Sequence, residues 1–144
     1  MKILFGDIEL RGAMEDLLET KMSLDTRYMG FVANDSMVIV SLSRWNGFDG
    51  EITVVSTGKN PPMRAAISHF FDYVWNVCKC RRVTTLCYEE NRQAMRFNKM
   101  LGFTKEGLMR QAGKEGQDVI LFGMLREEFN QRFMRQGDPL RKAA

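Results

Sequence analysis

Three strand-like segments that follow one another closely between residues 28 and 56 constrain the fold of this chain more than any other feature. Residues 37–43 alternate between two faces, as a β-strand does. Turn sequences at residues 34–36 and 46–50 lie on either side of this segment. Residues 51–56 are apolar on both faces, which is typical of a central strand. The pattern predicts antiparallel hairpins at the start of a sheet.

Helices and further strands alternate over the rest of the chain. Apolar residues recur at helical spacing in several segments, and short apolar strands separate them. The predicted helices cover residues 10–22, a segment that starts at Pro61 after the cap residue Asn60 and reaches Cys78, residues 91–101 and residues 127–136. The later strands cover residues 82–88, 103–111 and 119–125. This order predicts a mixed α/β sheet that is antiparallel at first and then crosses over through helices. Sites in such folds lie where a central strand ends and a crossover helix begins, which points to residues 56–64.

The composition is that of an ordinary globular protein. Its 144 residues suit one domain over residues 1–144, and 44% hydrophobic with 27% charged residues excludes a disordered chain. No run approaches the roughly 18 apolar residues of a membrane-spanning helix, so we expect no membrane partner. Three cysteines, an odd number, fit a reducing cytoplasmic setting. A net charge of +3 is too small to imply a nucleic-acid partner.

The run NRQAMRFNKMLGFTKEG at residues 91–107 carries a more specific pattern. It resembles the fourth helix and following strand of the GCN5-related N-acetyltransferases (GNAT family). That family has an Asn at the helix start, then an Ala, an aromatic or aliphatic residue and a Gly-Phe exit. The matching residues here are Asn91, Ala94, Phe97, Gly102 and Phe103. Residues 81–126 match best, whereas the first half matches in element order alone and residues 127–144 are left as a C-terminal helix and tail.

This resemblance implies a fold, a co-substrate and a reaction. The fold is a mixed, mostly antiparallel sheet of six to seven strands flanked by helices. The co-substrate is acetyl-CoA, and the acetyl group moves to a primary amine of an unknown acceptor by direct attack in a ternary complex. The pyrophosphate would be held by Gly58, Lys59, Asn60, Met63 and Arg64, and the pantetheine arm by Val54, Val55, Ser56 and, at its far end, Asn91.

The catalytic positions and the phosphate loop depart from the family pattern. Glu51 lies early on the strand that the resemblance identifies as the family's fourth, where many members keep a general base. The tyrosine that protonates the leaving thiolate falls at Asn98, and because an amide cannot act as a general acid, that role is vacant or moved. The loop has one glycine, Gly58, and its two prolines, Pro61 and Pro62, remove two N–H donors.

Several of these residues also have a purely structural interpretation. Glu51 is equally a solvated carboxylate beside a turn, and Asn91 is equally an ordinary helix cap. His69, the one histidine, is a second candidate base, although the open face of its helix would leave it in water. Cys78 and Cys80 offer too few ligands for zinc, so no metal site is expected.

A different class of function competes with the enzyme. A degenerate member of the fold would bind rather than catalyse, for example as a virion or assembly component, because small chains of this kind are frequent in tailed-phage genomes. The paired prolines and the missing tyrosine favour that interpretation, and the regular pattern of residues 91–107 favours the enzyme. A homodimer paired at a sheet edge is a further expectation from the resemblance.

Overall fold

The computed structural model describes residues 1–131. In this part of the chain, strands and helices alternate in a mixed α/β arrangement. The elements are β1 (Lys2–Leu4), α1 (Asp7–Leu18), β2 (Arg27–Ala33), β3 (Ser36–Ser43), β4 (Glu51–Thr57), α2 (Met63–Asp72), a π-helical segment (Tyr73–Val77), β5 (Arg82–Tyr88), α3 (Arg92–Leu101), β6 (Thr104–Met109), β7 (Val119–Leu125) and α4 (Arg126–Phe129). The predicted fold class is confirmed, with seven strands among the described residues.

Two compact units make up the chain, the first from Met1 to Cys80 and the second starting at Arg81. In the first unit, β1 to β4 lie side by side in chain order, and each neighbouring pair is antiparallel. Tyr28 lies opposite Ser41, and Ser41 lies opposite Thr53. The predicted hairpins are therefore present in one continuous register.

Helices α1 and α2 supply the core of the first unit from opposite faces of these strands. Leu10 and Met14 of α1 pack with Tyr28 and Ile39. Phe31 points to the other face, because it lies an odd number of residues from Tyr28. The α2 side chains Ile67, Phe70 and Phe71 are fully buried. Both faces of β2 and β3 are consequently covered, which fixes their register.

The second unit contains β5, β7 and β6, in that order and all antiparallel. Arg82 and Glu106 form an ion pair at 2.6 Å, which lowers the pKa of the Glu106 carboxyl. Helix α3 begins at the Asn91 cap and ends at Gly102, whose φ of 111° is left-handed. These are the start and stop that the sequence pattern predicts.

Helix α1 differs from its predicted bounds. The spacing of residues 10–22 predicts a helix that reaches Met22, whereas α1 ends before Glu19, which adopts a left-handed φ of 55°. The Met22 backbone is held by α1 side chains instead. The Arg11 side chain donates to the Met22 carbonyl at 3.1 Å, and the Met22 N–H donates to the Glu15 carboxylate at 2.7 Å. Met22 thus packs on the helix without belonging to it.

Further differences concern elements that sequence spacing cannot resolve. Neither β1 nor the π-helical segment was predicted from the sequence. Strand β1 is defined only by its pairing with β2. Residues 82–88 were predicted as a buried strand, but in β5 only Val83 is fully buried. The predicted helix at 127–136 begins as α4, and its residues beyond 131 lie outside the described part of the chain. No helix among residues 1–131 is both long and apolar enough for a membrane span.

We predict that Gly58→Ala lowers the free energy of unfolding by about 2–3 kcal/mol, because it combines a left-handed φ of +89° with a close approach. A Cβ at this position would lie 2.7 Å from the Asp35 carbonyl oxygen and closer still to the Ser36 hydroxyl.

Gly116→Ala is the matched control, since Gly116 has a similar φ of +85° but nothing within 4 Å of its Cβ position. Gly116→Ala should lose only about 1 kcal/mol of unfolding free energy, which is the cost of the left-handed conformation. Chemical denaturation measures the free energy of unfolding of both variants. Equal losses would contradict the prediction that the contact with Asp35 and Ser36 adds to the cost at Gly58.

Candidate functional site

The connection from β4 to α2 is anchored on the turn between β2 and β3. Gly58 passes so close to that turn that a side chain there would collide with Asp35 and Ser36. The Asn60 N–H donates to the Ser36 hydroxyl at 3.3 Å. Ser36 is buried, with 6% of its surface exposed. The loop that the sequence singled out is therefore held in place by one serine hydroxyl and one glycine.

Two main-chain donors of this loop, the N–H groups of Asn60 and Met63, are engaged within the first unit. The Met63 N–H donates to the Pro61 carbonyl at 2.7 Å, and the Ala66 N–H donates to the Pro62 carbonyl at 3.0 Å. Helix α2 has no side-chain cap, so the expected capping by Asn60 is absent. Lys59 and Arg64 project as exposed cations on either side of the helix start. An anion at this loop would thus meet side-chain charge more than a backbone cradle.

Strand β4 leads into this loop and carries the residues predicted for the pantetheine arm. Val54 and Val55 are half-buried and Ser56 is exposed. All three pair with β3 along one edge, opposite Val40, Ile39 and Val38. Strand β4 is less buried than its apolar sequence predicts, since Ile52 is its one fully buried residue.

Glu51 begins β4 directly opposite Ser43 of β3. Arg44 donates to Glu51 Oε2 from Nε at 3.0 Å and from Nη2 at 2.6 Å. The Glu51 side chain is 21% exposed, so the carboxylate lies at the border of protein and solvent. Both interpretations of Glu51 predicted a charged carboxylate beside the turn, but neither predicted Arg44 as its partner.

Asn91 and Asn98 both lie in the second unit. Asn91 accepts the Ala94 N–H at 3.1 Å, which is the helix-cap role. Asn98 is 8% exposed, and its Nδ2 donates to Cys87 Sγ at 3.7 Å. Burial raises the pKa of the Cys87 thiol, and the Asn98 contact opposes that shift. The position that the sequence resemblance aligns with the family's tyrosine therefore holds a buried amide that contacts a thiol whose pKa burial raises.

The remaining candidates have structural roles in the first unit. His69 is exposed, and its ring stacks on Phe31 with 6.1 Å between centroids. Cys78 and Cys80 are both buried and unpaired. Within residues 1–131, no group of three or more His, Cys, Asp or Glu side chains is placed to hold a metal ion.

Sequence reasoning missed a group of hydroxyls on the α1-facing side of the first unit. Thr26, Ser41 and Ser43 are buried there beside Tyr28. The available signal was the pair of serines at alternate positions of β3, Ser41 and Ser43, in a strand that is otherwise apolar. A buried row of this kind on a sheet face is unusual, because a buried hydroxyl without a hydrogen-bond partner costs free energy.

An open pocket of about 400 Å³ lies in the second unit, lined in part by residues on both sides of Asn91 in the sequence. Its lining is mostly acidic and consists of Glu89, Glu90, Arg92, Gln117 and Asp118. Asp118 Oδ1 already accepts the Gln111 N–H at 2.9 Å.

The fold is shared with solved acetyltransferase structures. A spermidine N-acetyltransferase variant from Vibrio cholerae matches with a TM-score of 0.65 and 16% identity, covering 91% of this chain and 80% of that one. A second variant form of the spermidine/spermine enzyme from the same organism gives a TM-score of 0.71 at 14% identity, covering 91% of this chain and 98% of that one.

A further solved acetyltransferase matches with a TM-score of 0.68 and 18% identity, covering 88% of this chain and 69% of that one. No family model matches the sequence. No curated protein matches it either. At these identities the likeness is one of fold, and it confirms the fold that the pattern at residues 91–107 implied.

We predict that Cys80 is almost inert in the native protein, since burial raises the pKa of its thiol to about 11. In a Cys78→Ser/Cys87→Ser variant, Cys80 is the one thiol that a disulfide reagent can report. Its reaction at pH 8 should be on the order of 100-fold slower than that of an unhindered thiol and should accelerate as pH rises toward 11, because the thiolate is the reactive form. The urea-unfolded variant is the control, and a native rate equal to the unfolded rate would contradict the prediction.

Proposed function

We propose that this chain is an N-acetyltransferase that moves the acetyl group of acetyl-CoA to a primary amine. The observation that carries the proposal is the fold, which it shares over 91% of its length with a spermidine N-acetyltransferase. The loop between β4 and α2, with Lys59 and Arg64 exposed beside a helix start, supports an anionic ligand in the first unit. The unpaired cysteines support a reducing, cytoplasmic setting.

The co-substrate would be held mainly by the first unit. Lys59 and Arg64 would neutralise the pyrophosphate, with Gly58, Asn60 and Met63 shaping the loop around it. Ser36 acts indirectly, because it fixes Asn60 and the path of Gly58. Val54 and Val55 would line the pantetheine arm with half-buried apolar surface, and Ser56 would offer it an exposed hydroxyl.

The reaction needs a neutral amine, since an ammonium group has no lone pair. A primary alkyl amine has a pKa of about 10.4 and is mostly protonated at neutral pH. Glu51 is the proposed base, and its carboxylate would share its oxygens between Arg44 and the acceptor ammonium. The amine then attacks the thioester carbonyl directly, the C–S bond breaks, and no residue of the chain becomes acetylated.

The acceptor is an open part of this proposal. Spermidine is the first amine to test, because it is the substrate named for the matching structures from Vibrio cholerae. Small primary amines, a lysine-containing peptide and the amino terminus of a peptide complete the panel.

A binding protein without catalysis is the second candidate. Two observations favour it: Asn98 replaces the tyrosine and is committed to Cys87, and the loop uses the Asn60 and Met63 N–H groups internally. Such a protein would keep a partner surface but would not turn over acetyl-CoA with any amine of the panel.

We predict that acetyl-CoA binds with micromolar affinity and that Arg64→Ala and Lys59→Ala each weaken binding about tenfold, because each removes a charge that faces the pyrophosphate. Calorimetric titration measures the affinity, with desulfo-CoA and ATP as comparison ligands.

Lys105→Ala is the matched control, since Lys105 is an exposed lysine of β6 in the second unit. Unchanged affinity in the Arg64 and Lys59 variants would contradict the placement of the phosphate. No binding of acetyl-CoA at millimolar concentration would favour the binding-protein candidate.

We predict that Glu51→Gln lowers turnover on the order of 100-fold at pH 7 and that the deficit shrinks as pH rises, because solvent then deprotonates the amine. Arg44→Met is the control, since it removes the same ion pair while keeping the carboxylate. It should retain most of the turnover. Equal losses in the two variants would assign the effect to the ion pair and not to a base.

A further inference from the structure

Four side chains form an unbroken hydrogen-bonded chain between the buried face of β3 and solvent. Ser43 Oγ and Thr26 Oγ1 are 2.9 Å apart, and both residues are buried. Thr26 Oγ1 is 2.9 Å from Ser23 Oγ. Ser23 Oγ donates to Asp25 Oδ1 at 2.6 Å, and both Ser23 and Asp25 are exposed. The chain therefore ends in a solvated carboxylate.

The two inner links can carry their hydrogen in either direction. In the Ser43–Thr26 and Thr26–Ser23 pairs, each oxygen can be the donor. A hydroxyl is both a donor and an acceptor, and its hydrogen rotates to suit its neighbours. A proton can move along hydroxyls linked in this way, because each oxygen accepts a proton from one neighbour and releases its own proton to the next. A chain of apolar or amide side chains cannot do so.

The inner end of the chain lies at the proposed base. Ser43 and Glu51 are opposite each other in the register of β3 and β4, so their side chains share one face of the sheet with Cβ atoms about 5 Å apart. Neighbouring side chains at that separation can be joined by a side-chain rotation or by one water molecule. With that one link, Ser43 and Thr26 would connect the carboxylate of Glu51 with the surface at Asp25.

We propose that Glu51, Ser43, Thr26, Ser23 and Asp25 form a proton-exit path for acetyl transfer, an inference that rests on the proposed function. The acceptor ammonium gives one proton to the Glu51 carboxylate. Glu51 passes it to Ser43 Oγ while the Ser43 proton moves to Thr26, the Thr26 proton to Ser23 and the Ser23 proton to Asp25, which releases it to water. Each O–H bond that forms is matched by one that breaks.

The remaining bonds of the reaction also balance. The neutral amine attacks the thioester, the N–C bond forms and the C–S bond breaks. The second proton of the attacking nitrogen goes to the leaving sulfur and yields the free thiol of CoA. One proton is released overall, which is the one that the path carries. Ser43, Thr26 and Ser23 are positioning residues in this scheme, since they do not touch the substrate.

Other charged and titratable groups face this region from two elements. Arg44 binds Glu51 from the loop after β3. The Tyr28 hydroxyl interacts with Thr26, and Arg11, Glu15 and Asp7 of α1 also act on it, while burial raises its pKa. Because the Tyr28 oxygen is itself buried, a proton that reached it would have no onward step to solvent.

The test compares Thr26→Val with Thr26→Ser in full-length protein, with acetyl-CoA and spermidine or the fastest amine of the panel. Valine keeps the shape and breaks the path, whereas serine keeps the hydroxyl. We expect Thr26→Val to lower kcat on the order of tenfold and to leave KM for acetyl-CoA unchanged. We also expect added imidazole buffer to restore its rate, while wild type and Thr26→Ser do not respond to imidazole.

Ser41→Ala is the matched control, because Ser41 is a fully buried serine two residues from Ser43 on the same face. Its Oγ has no hydrogen-bond partner within residues 1–131, and it lies outside the path. Ser43→Ala repeats the test if Thr26→Val does not fold, which circular dichroism reports.

The outcomes separate the two proposals. If the wild type turns over but Thr26→Val keeps the wild-type kcat, the path is overturned and the acetyltransferase proposal stands. The same holds if Thr26→Val is slower but imidazole does not restore its rate. Absence of wild-type turnover with every amine of the panel would overturn both. A loss in Ser41→Ala equal to that in Thr26→Val would assign the effect to packing of this face and would also overturn the path.

Discussion

The antiparallel register of β3 against β4 is the constraint on which the candidate site depends. It places Glu51 opposite Ser43, whose hydroxyl is hydrogen-bonded to Thr26. At the other end of the same ribbon, β4 reaches the turn before β3, where Ser36 holds Asn60 and crowds Gly58. A slip of one residue would turn every one of these side chains to the opposite face. The buried residues on both faces of β3 prevent that slip.

Local pattern was enough for most of the fold. The alternation at residues 37–43, the Asn cap before α3 and the glycine after it each have a short-range physical cause, and each was found from the sequence. β1 has no such signal, because three residues become a strand only through pairing with β2. The end of α1 was missed for a similar reason, since Met22 keeps the helical spacing while Arg11 and Glu15 hold its backbone outside the helix.

The candidate site was less accessible to sequence reasoning, because its determinants are contacts between distant segments. The loop at residues 58–64 could be found from a strand that ends before a helix. Its dependence on Ser36 could not, since that serine is 24 positions before Asn60. The partner of Glu51 and the hydroxyls beside it follow from register, which sequence alone leaves open by a residue or two. Candidate catalytic and binding residues could thus be identified from the sequence, whereas the contacts between them could not.

The buried contact between Asn98 and Cys87 bears on how much acid catalysis this chain requires. A tyrosine at this position would supply a proton to the leaving thiolate, whereas Asn98 directs its amide at a thiol that burial keeps neutral. The acceptor ammonium, however, carries three protons into the reaction, and only one has to leave before attack. A second passes from the attacking nitrogen to the sulfur when the C–S bond breaks, and the third stays on the amide nitrogen. A chain with one exit for the first proton therefore satisfies the proton balance without a phenol at residue 98.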